Sequence, residues 1–383
     1  MKIALAILHA DARRGGAERY TADLATKLAR LGHDVTIVAS TGGDVPPPVR
    51  TLVLRGTGLT RTSRYLAFLN ALDQTLPAER FDIVHAMLPV RQCDLYHPHA
   101  GLAARAMRSG HLKHRHPLQR SAAKIATHLN PRRRLMAATE RELLTSPTPP
   151  TVICLSHAMQ EQAIEHYPNL GPKLATLLNG VDLQRFLPVP GQREAERARL
   201  GILPHQTVAL MIAQDFERKG LRPALAALAQ VGDVNLRLVV AGKPDAAPYR
   251  ALAQQLGVAD RVQFVGAVAD PRPLYSAADF FLLPTRHDPC SLVVIEALAM
   301  GLPVISTVMN GACELMSDGV HGFVLADPNE VPAMARAMRV LSDATRRAAM
   351  QAACVALRPS LSFDTHVERV VELYDQLRRH AHR

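Results

Sequence analysis

The sequence predicts an α/β protein built from two successive doubly wound halves, each a parallel sheet covered by helices. Three observations predict it. Short aliphatic runs alternate with amphipathic helical stretches, the pattern of βαβ units. The series runs twice, with a proline- and charge-rich stretch near residues 187–201 between the two passes. The composition is aliphatic as well: 48% of the 383 residues are apolar, yet tryptophan is absent and aromatics make up only 4%. Such a chain packs with Val, Ile, Leu and Ala, as parallel sheets buried on both faces do. It is too long for one ordinary domain and suits two of about 190 residues.

In the first half the expected strands are 2–8 (KIALAIL), 34–39 (DVTIVA), 49–54, 82–86, 151–155 (TVICL) and 174–178. A helix over 17–31 stops at Gly32, since glycine past a last helical turn is a stop signal. The prolines at 46–48 and the PTPP at 147–150 punctuate loops. The second half repeats the pattern with 207–213 (TVALMIA), 236–241 (LRLVVA), 262–267 (VQFVGA), 280–284 (FFLLP) and 303–307 (PVIST). An amphipathic helix over roughly 363–379 comes last. Doubly wound halves bind ligands at the carboxyl ends of their strands, so a site between the halves is expected.

The five cysteines are scattered, odd in number and without a C-x-x-C pair, which points away from a zinc site or a disulfide framework and fits a reducing cytoplasm. The N-terminus reads as a buried strand rather than a signal peptide. No apolar run nears the ~18 residues that span a bilayer. Net charge is +11 and unevenly spread: residues 1–185 hold 24 Lys+Arg against 14 Asp+Glu, whereas 186–383 hold 21 against 20. An anionic partner on the first half follows.

Three segments carry chemistry. After strand one, HADARRGGAER places Gly15 and Gly16 at a helix start, where backbone N–H groups and the helix dipole meet an anion; a plain glycine-rich turn uses the same residues. Neither G-x-G-x-x-G nor a Walker A sequence occurs anywhere. Arg218 and Lys219, before Gly220, follow the first strand of the second half and can neutralise a diphosphate, or form a solvated basic turn. In PTRHDPCSLVVIEALAMGLPVI, residues 284–305, Asp288 and Glu296 stand eight apart, and Glu296 lies within an apolar helical run. A carboxylate there needs a partner. Sugar hydroxyls or a neighbouring arginine would serve.

This segment resembles the Glu-x7-Glu signature of retaining GT-B glycosyltransferases of the family 4 class. The likeness extends to GGAERY at 15–20, NGVDLQRF at 179–186, RKG at 218–220 and NGACELMSDGVHGFVL at 310–325, in order along nearly the whole chain. Within the class, DFERKG at 215–220 and DLYH at 94–97 look most like the lipopolysaccharide-core glucosyltransferases. The resemblance implies two Rossmann-like domains facing across a cleft. It places an acceptor-binding domain at 1–186, a nucleotide-sugar-binding domain at 187–362, and a terminal helix, 363–383, packing back on the first.

It also implies roles. Gly15 and Gly16 would approach the donor phosphates, and Arg218 and Lys219 would hold the diphosphate. Glu296 would bind the ribose and Asp288 the transferred sugar. The backbone of Gly311, Ala312, Cys313, Glu314 and Leu315 would donate N–H groups to leaving group and sugar. In DLYHPHAG, His97 or His99 would face the sugar, in preference to His85, and Asp94 would contact the acceptor. Asn179 and Asp182 read as structural. Two departures stand out. Asp288 occupies a position where the family has Glu, and Ala213-Gln214 stands where many members have Arg, which shifts the charge balance onto Arg218 and Lys219.

The implied reaction retains the anomeric configuration, passes the acceptor proton to the leaving group and, with no D-x-D sequence in the chain, requires neither metal nor cofactor. Uridine is the expected base. Residues 105–141 hold ten Lys/Arg and a single acid, Glu140, interspersed with apolar residues. That stretch is expected to touch an anionic membrane surface at the inner face of the cell membrane, consistent with a glycan or lipid-linked acceptor. It lacks the aromatics of a nucleic-acid platform, so nucleic acid is not an expected partner. The alternatives are a nucleotide-sugar epimerase of the same fold and a basic nucleic-acid-binding module. A dehydrogenase would need the missing dinucleotide fingerprint.

Overall fold

A computed structural model describes residues 1–109, 126 and 129–381. It divides into two compact units, Met1–Leu178 with Asp364–Arg383, and Asn179–Phe363.

The first unit holds a seven-stranded, all-parallel sheet in the order β3-β2-β1-β4-β5-β6-β7. The strands are β1 (Lys2–His9), β2 (Asp34–Thr41), β3 (Arg50–Val53), β4 (Ile83–Ala86), β5 (Leu95–Tyr96), β6 (Thr151–Cys154) and β7 (Leu174–Thr176). Central β1 pairs on both sides, Leu5 with Ile37 and with His85, which is why its side chains read apolar throughout. Helix α1 (Gly16–Arg30) closes at Gly32, whose φ of +88° suits glycine and whose neighbour His33 donates back to Leu28 O at 3.2 Å. Helices α2 (Arg61–Glu79), α3 (Ala103–Ser109), α4 (Pro131–Leu144) and α5 (His157–His166) complete the main run of this unit.

The second unit holds a six-stranded parallel sheet, order β10-β9-β8-β11-β12-β13. Its strands are β8 (Thr207–Ile212), β9 (Leu236–Ala241), β10 (Val262–Gly266), β11 (Phe280–Leu282), β12 (Val304–Thr307) and β13 (Gly322–Leu325). Its helices are α6 (Gln192–Arg199), α7 (Leu221–Val231), α8 (Ala247–Gln255), α9 (Arg272–Ala277), α10 (Leu292–Ala299), α11 (Val331–Ser342) and α12 (Ala344–Leu357). Val294, Ile295, Ala297, Leu298 and Ala299 of α10 are all fully buried. Each large aliphatic side chain so removed from water contributes about 1.5–3 kcal/mol.

Two strands lack a sequence signal. Two-residue β5 is fixed by its neighbours' ladders rather than by alternation. Strand β13 opens on Gly322, φ +127°, where a Cβ would stand 2.0 Å from Val304 O.

The chain leaves the first unit at Leu178 and returns at Asp364. The two connecting segments lie side by side: Val181 N donates to Leu361 O at 2.8 Å and Phe363 N to Val181 O at 3.0 Å. Gly180 permits this, since a Cβ would come within 2.7 Å of Ser362 O. Asn179 Nδ2 donates to Cys290 O at 3.0 Å, which ties residues 179–186 to the second unit. The last helix, α13 (Phe363–Ala381), buries Val367, Val370 and Tyr374 at helical spacing. Lys27 on α1 pairs with Asp364 at 2.5 Å. Among the described residues no helix is long and apolar enough to cross a membrane.

Candidate functional site

In the second unit, the carboxyl ends of β8 and β11 carry the charged residues singled out in the sequence. The turn after β8 is shaped by Asp215, whose Oδ1 accepts from Arg218 N at 3.0 Å and whose carbonyl accepts from Lys219 N at 3.0 Å. Gly220, φ +81°, then opens α7; a Cβ there would lie 2.1 Å from Pro284 O. Only glycine lets the 213–220 turn lie against the 284–288 loop. Arg286 N donates to Arg218 O at 2.9 Å, and Arg218 Nη1 donates to His287 O at 2.8 Å.

This contact brings Lys219 Nζ onto Asp288 Oδ2 as a buried ion pair, with side chains 8% and 14% exposed. Arg218 Nη1 stands 3.9 Å from the same oxygen and is 35% exposed. Burial works against the Asp288 charge, but Lys219, by charge and hydrogen bond, and then Arg218 hold the carboxyl below its usual range. Burial lowers the Lys219 ammonium in turn, and Asp288 opposes that shift, so the spot holds a carboxylate against two basic side chains.

Asp288 is held from below by Asn310. Asp288 N donates to Met309 O at 2.9 Å and Gly311 N to Asp288 O at 3.0 Å. Asn310 Oδ1 accepts from Ser291 N and Ala312 N, each at 3.2 Å, and Asn310 Nδ2 donates to Ser306 Oγ at 3.1 Å. Residues Gly311–Leu315 form a short 3-10 turn. Three of the amides expected to serve a ligand are already engaged: Gly311 N by Asp288 O, Ala312 N by Asn310 Oδ1, and Cys313 N by Asn310 O at 2.9 Å. These three bonds brace the turn against Asp288 and Asn310. Glu314 lies within electrostatic reach of Cys290 and Cys313, as Asp288 does.

Glu296, half-buried on α10, takes a partner that the sequence did not suggest. Its Oε2 lies 2.8 Å from Tyr275 Oη, whose ionisation is pushed well up by burial and by that carboxylate. Tyr275 packs edge-on against Phe186 at 6.1 Å. The structure thus joins Arg218, Lys219, Asp288 and the 310–313 turn directly, and holds Glu296 through a separate contact.

In the first unit, Gly15 is the N-cap of α1, extended at φ −173° and without a side-chain cap; Gly16 is exposed. A second group gathers at the carboxyl ends of β4 and β5. His85, His97, His99 and His366 lie with Tyr20 and Tyr374, the His97 and His99 rings 4.2 Å apart and Tyr20 4.1 Å from His99. His366 Nε2 meets Tyr20 Oη at 2.6 Å and its Nδ1 meets Leu178 O at 2.8 Å. His85 Nδ1 meets Tyr374 Oη at 2.7 Å.

Both ring nitrogens of His97, and Nε2 of His85 and of His99, are shielded without a partner among the described residues. Burial lowers all four histidines, His85 to about 3 and His366 to about 4, so the group is neutral at ordinary pH. His97 is fully buried, whereas His99 is half-buried.

Asp94 does not join this group. It precedes β5, at the amino ends of the strands, and its Oδ2 accepts from Val84 N at 2.7 Å. Its carboxylate completes the β4–β5 ladder at the end away from His97.

Of the basic stretch, residues 110–125, 127 and 128 lie outside the described residues, with His111, Leu112, Lys113, His114, Arg115, His116, Leu118, Arg120, Lys124, Ile125 and His128 among them. In the described part, Arg133 and Arg134 are exposed on α4 and Leu129 is 68% exposed. Glu140 is fully buried and accepts from Tyr96 Oη at 2.7 Å, Ala103 N at 2.7 Å, Ala104 N at 2.9 Å and Tyr167 Oη at 3.2 Å. It caps α3 and pins α4 to the sheet.

Two Rossmann-like units with charged residues at their strand ends are the architecture of the GT-B glycosyltransferases, and comparison with known proteins agrees. Residues 14–185 match the family described as Glycosyltransferase Family 4, and 192–354 match Glycosyl transferases group 1. The lipopolysaccharide glucosyltransferase WaaG of Escherichia coli (strain K12) is 27% identical over 325 residues, 82% of this chain and 82% of that protein. The crystal structure of a WaaG superposes at a TM-score of 0.83 with 23% identity, covering 97% of this chain and 99% of the other. HepE from Anabaena, solved in complex with UDP-glucose, superposes at 0.73 with 18% identity, covering 98% and 100%.

The protein is a glycosyltransferase of the GT-B class. Within it, the chain belongs to the group 1, family 4 glycosyltransferases. These matches do not favour the epimerase or nucleic-acid alternatives.

Proposed function

We propose that this glycosyltransferase moves a hexose from a UDP-sugar to a hydroxyl of a glycan or lipid-linked acceptor, with retained anomeric configuration, in the synthesis of lipopolysaccharide or a related envelope polysaccharide. The observation that carries it is the buried Lys219–Asp288 pair flanked by Arg218 at the strand ends of the second unit. Cations there meet the charge that develops as the glycosidic bond to the diphosphate breaks, and in a dry site they act strongly. The likeness to WaaG, a lipopolysaccharide glucosyltransferase, supports a lipopolysaccharide setting, and the likeness to HepE, solved with UDP-glucose, supports a UDP-sugar donor.

In this reading the second unit takes the donor and the first the acceptor. Arg218 and Lys219 hold the diphosphate and Asp288 orients both Lys219 and a sugar hydroxyl. Glu296, braced by Tyr275, holds the ribose, and the uncapped turn at Gly15 and Gly16 approaches the phosphates. His97 or His99, each with a ring nitrogen that has no partner among the described residues, faces the sugar. The acceptor oxygen bonds to the anomeric carbon, the bond to the diphosphate oxygen breaks, and the acceptor proton passes to that oxygen. No metal ion or other cofactor and no nucleic acid enters this scheme. Arg133 and Arg134 lie against anionic headgroups at the inner membrane face, each worth about 1 kcal/mol.

The test is incubation with UDP-glucose and a deacylated lipopolysaccharide core. The reading expects a glycosylated product with α configuration by NMR, together with free UDP. A β-linked product, or epimerised donor without an acceptor, overturns it.

A further inference from the structure

Glu296 is the one polar side chain of α10, and the helix buries its neighbours Val294, Ile295, Ala297, Leu298 and Ala299. A carboxylate in such surroundings settles only where a donor meets it. Tyr275, on α9, supplies one. Its Oη donates to Glu296 Oε2 at 2.8 Å and also faces Val293 O, a turn earlier on α10, at 3.1 Å. A phenol has a single proton to give, and of these two acceptors the carboxylate is the stronger.

The ring that carries this hydroxyl is clamped. Tyr275 is fully buried, packed edge-on against Phe186 at 6.1 Å and tilted against Phe281 of β11 at 5.8 Å. Its backbone is tied down as well, Tyr275 N donating to Pro271 O at 3.1 Å and Ala278 N to Tyr275 O at 3.3 Å. Burial and the Glu296 charge push its ionisation well up, so it remains a donor. A glutamate side chain left loose samples many rotamers, and ordering it on binding costs affinity. Tyr275 orders it in advance. A carboxylate offers about four acceptor positions, so the bond to Tyr275 leaves others for a ligand's hydroxyls.

We propose that Tyr275 is a positioning residue for the ribose of the donor: by holding the Glu296 carboxylate ready for a vicinal diol, it sets how strongly the second unit prefers a ribonucleotide. The inference rests on the reading above, in which Glu296 takes the ribose, and deepens it. Tyr275 acts through Glu296 rather than by touching the nucleotide, and its hydroxyl is the only atom the effect requires.

The test titrates the full chain by calorimetry with UDP and, separately, with its 2′,3′-dideoxy analogue, as wild type, Tyr275→Phe and Glu296→Gln. Phenylalanine keeps the ring and drops the hydroxyl alone. That matters because Tyr275 lines a cavity of about 360 Å³ with Met300 and Leu302, which a smaller side chain would enlarge. The proposal expects wild type to favour UDP by about tenfold or more, the scale of hydroxyls bonded to a carboxylate. Tyr275→Phe should lose most of that preference through weaker UDP binding, with the dideoxy analogue bound as by wild type. A purely structural role would weaken both nucleotides alike, and that result overturns the proposal. Preference kept in Tyr275→Phe but lost in Glu296→Gln also overturns it and leaves the ribose reading standing. Absence of any preference in wild type removes the ribose reading, and the inference with it.

Discussion

Replacing Lys219 by methionine tests the buried pair most severely. The substitution keeps the volume of the stem and removes the cation, so Asp288, 14% exposed in its side chain, loses its closest partner. Breaking one member of a buried pair costs about 3–5 kcal/mol, since the other charge stays desolvated. Here the low end applies: Arg218 Nη1 is already 3.9 Å from Asp288 Oδ2 and can close on it. About 3 kcal/mol is therefore expected from urea unfolding followed by circular dichroism, seen as a lower midpoint at unchanged slope. The double change Lys219→Met/Asp288→Leu removes both charges and should recover most of that loss. A cost below about 1 kcal/mol for the single change, or no recovery in the double, refutes a tightly coupled buried pair. The same numbers mean that activity lost in Lys219 variants must be read beside their stability.

Further consequences follow from other buried groups. Glu140→Ala strands two backbone amides and two tyrosine hydroxyls and should cost about 3–5 kcal/mol, measured by the same unfolding experiment; a near-neutral change would refute its role as the α3 cap. The neutral histidines make stability pH-dependent. Their folded pKa values lie below the ordinary 6.5, so as pH falls from 6.5 toward about 4 the unfolded chain takes up protons that the folded chain refuses. His85 and His366 should each cost about 1.4 kcal/mol per pH unit over that window, and His366→Gln should flatten the pH dependence of the melting temperature. An identical pH profile in the variant would contradict this. Arg133→Gln/Arg134→Gln should weaken partition onto anionic liposomes about thirtyfold, from about 1 kcal/mol per charge, and unchanged partition would discard the membrane contact.

The fold was legible because parallel strands buried on both faces leave continuous aliphatic runs, such as KIALAIL at β1 and LRLVVA at β9. Strands β5 and β13 were not, since one is two residues long and the other is positioned by Gly322 rather than by periodicity. At the site, the sequence singled out Arg218, Lys219 and Asp288 but not that Lys219 and Asp288 would bind each other. That pairing depends on Gly220 meeting Pro284, a contact between segments far apart in the chain. The glycine-opened turn at 311 looked like a set of donors, yet Asn310 and Asp288 consume three of its amides. Tyr275 and His366 had no motif at all. Each acts through a neighbour supplied by another element, which no local pattern records.

The central claim is that cations of the second unit hold a nucleoside diphosphate. Calorimetric titration of UDP into wild type and into Arg218→Gln, a partly exposed position whose loss leaves the Lys219–Asp288 pair in place, tests it most directly. The account predicts saturable binding to wild type and affinity weakened about tenfold or more in the variant, with the fold retained at a somewhat lower melting temperature because the bond to His287 O is lost. Equal affinity in the two proteins, or no binding to wild type, would contradict it.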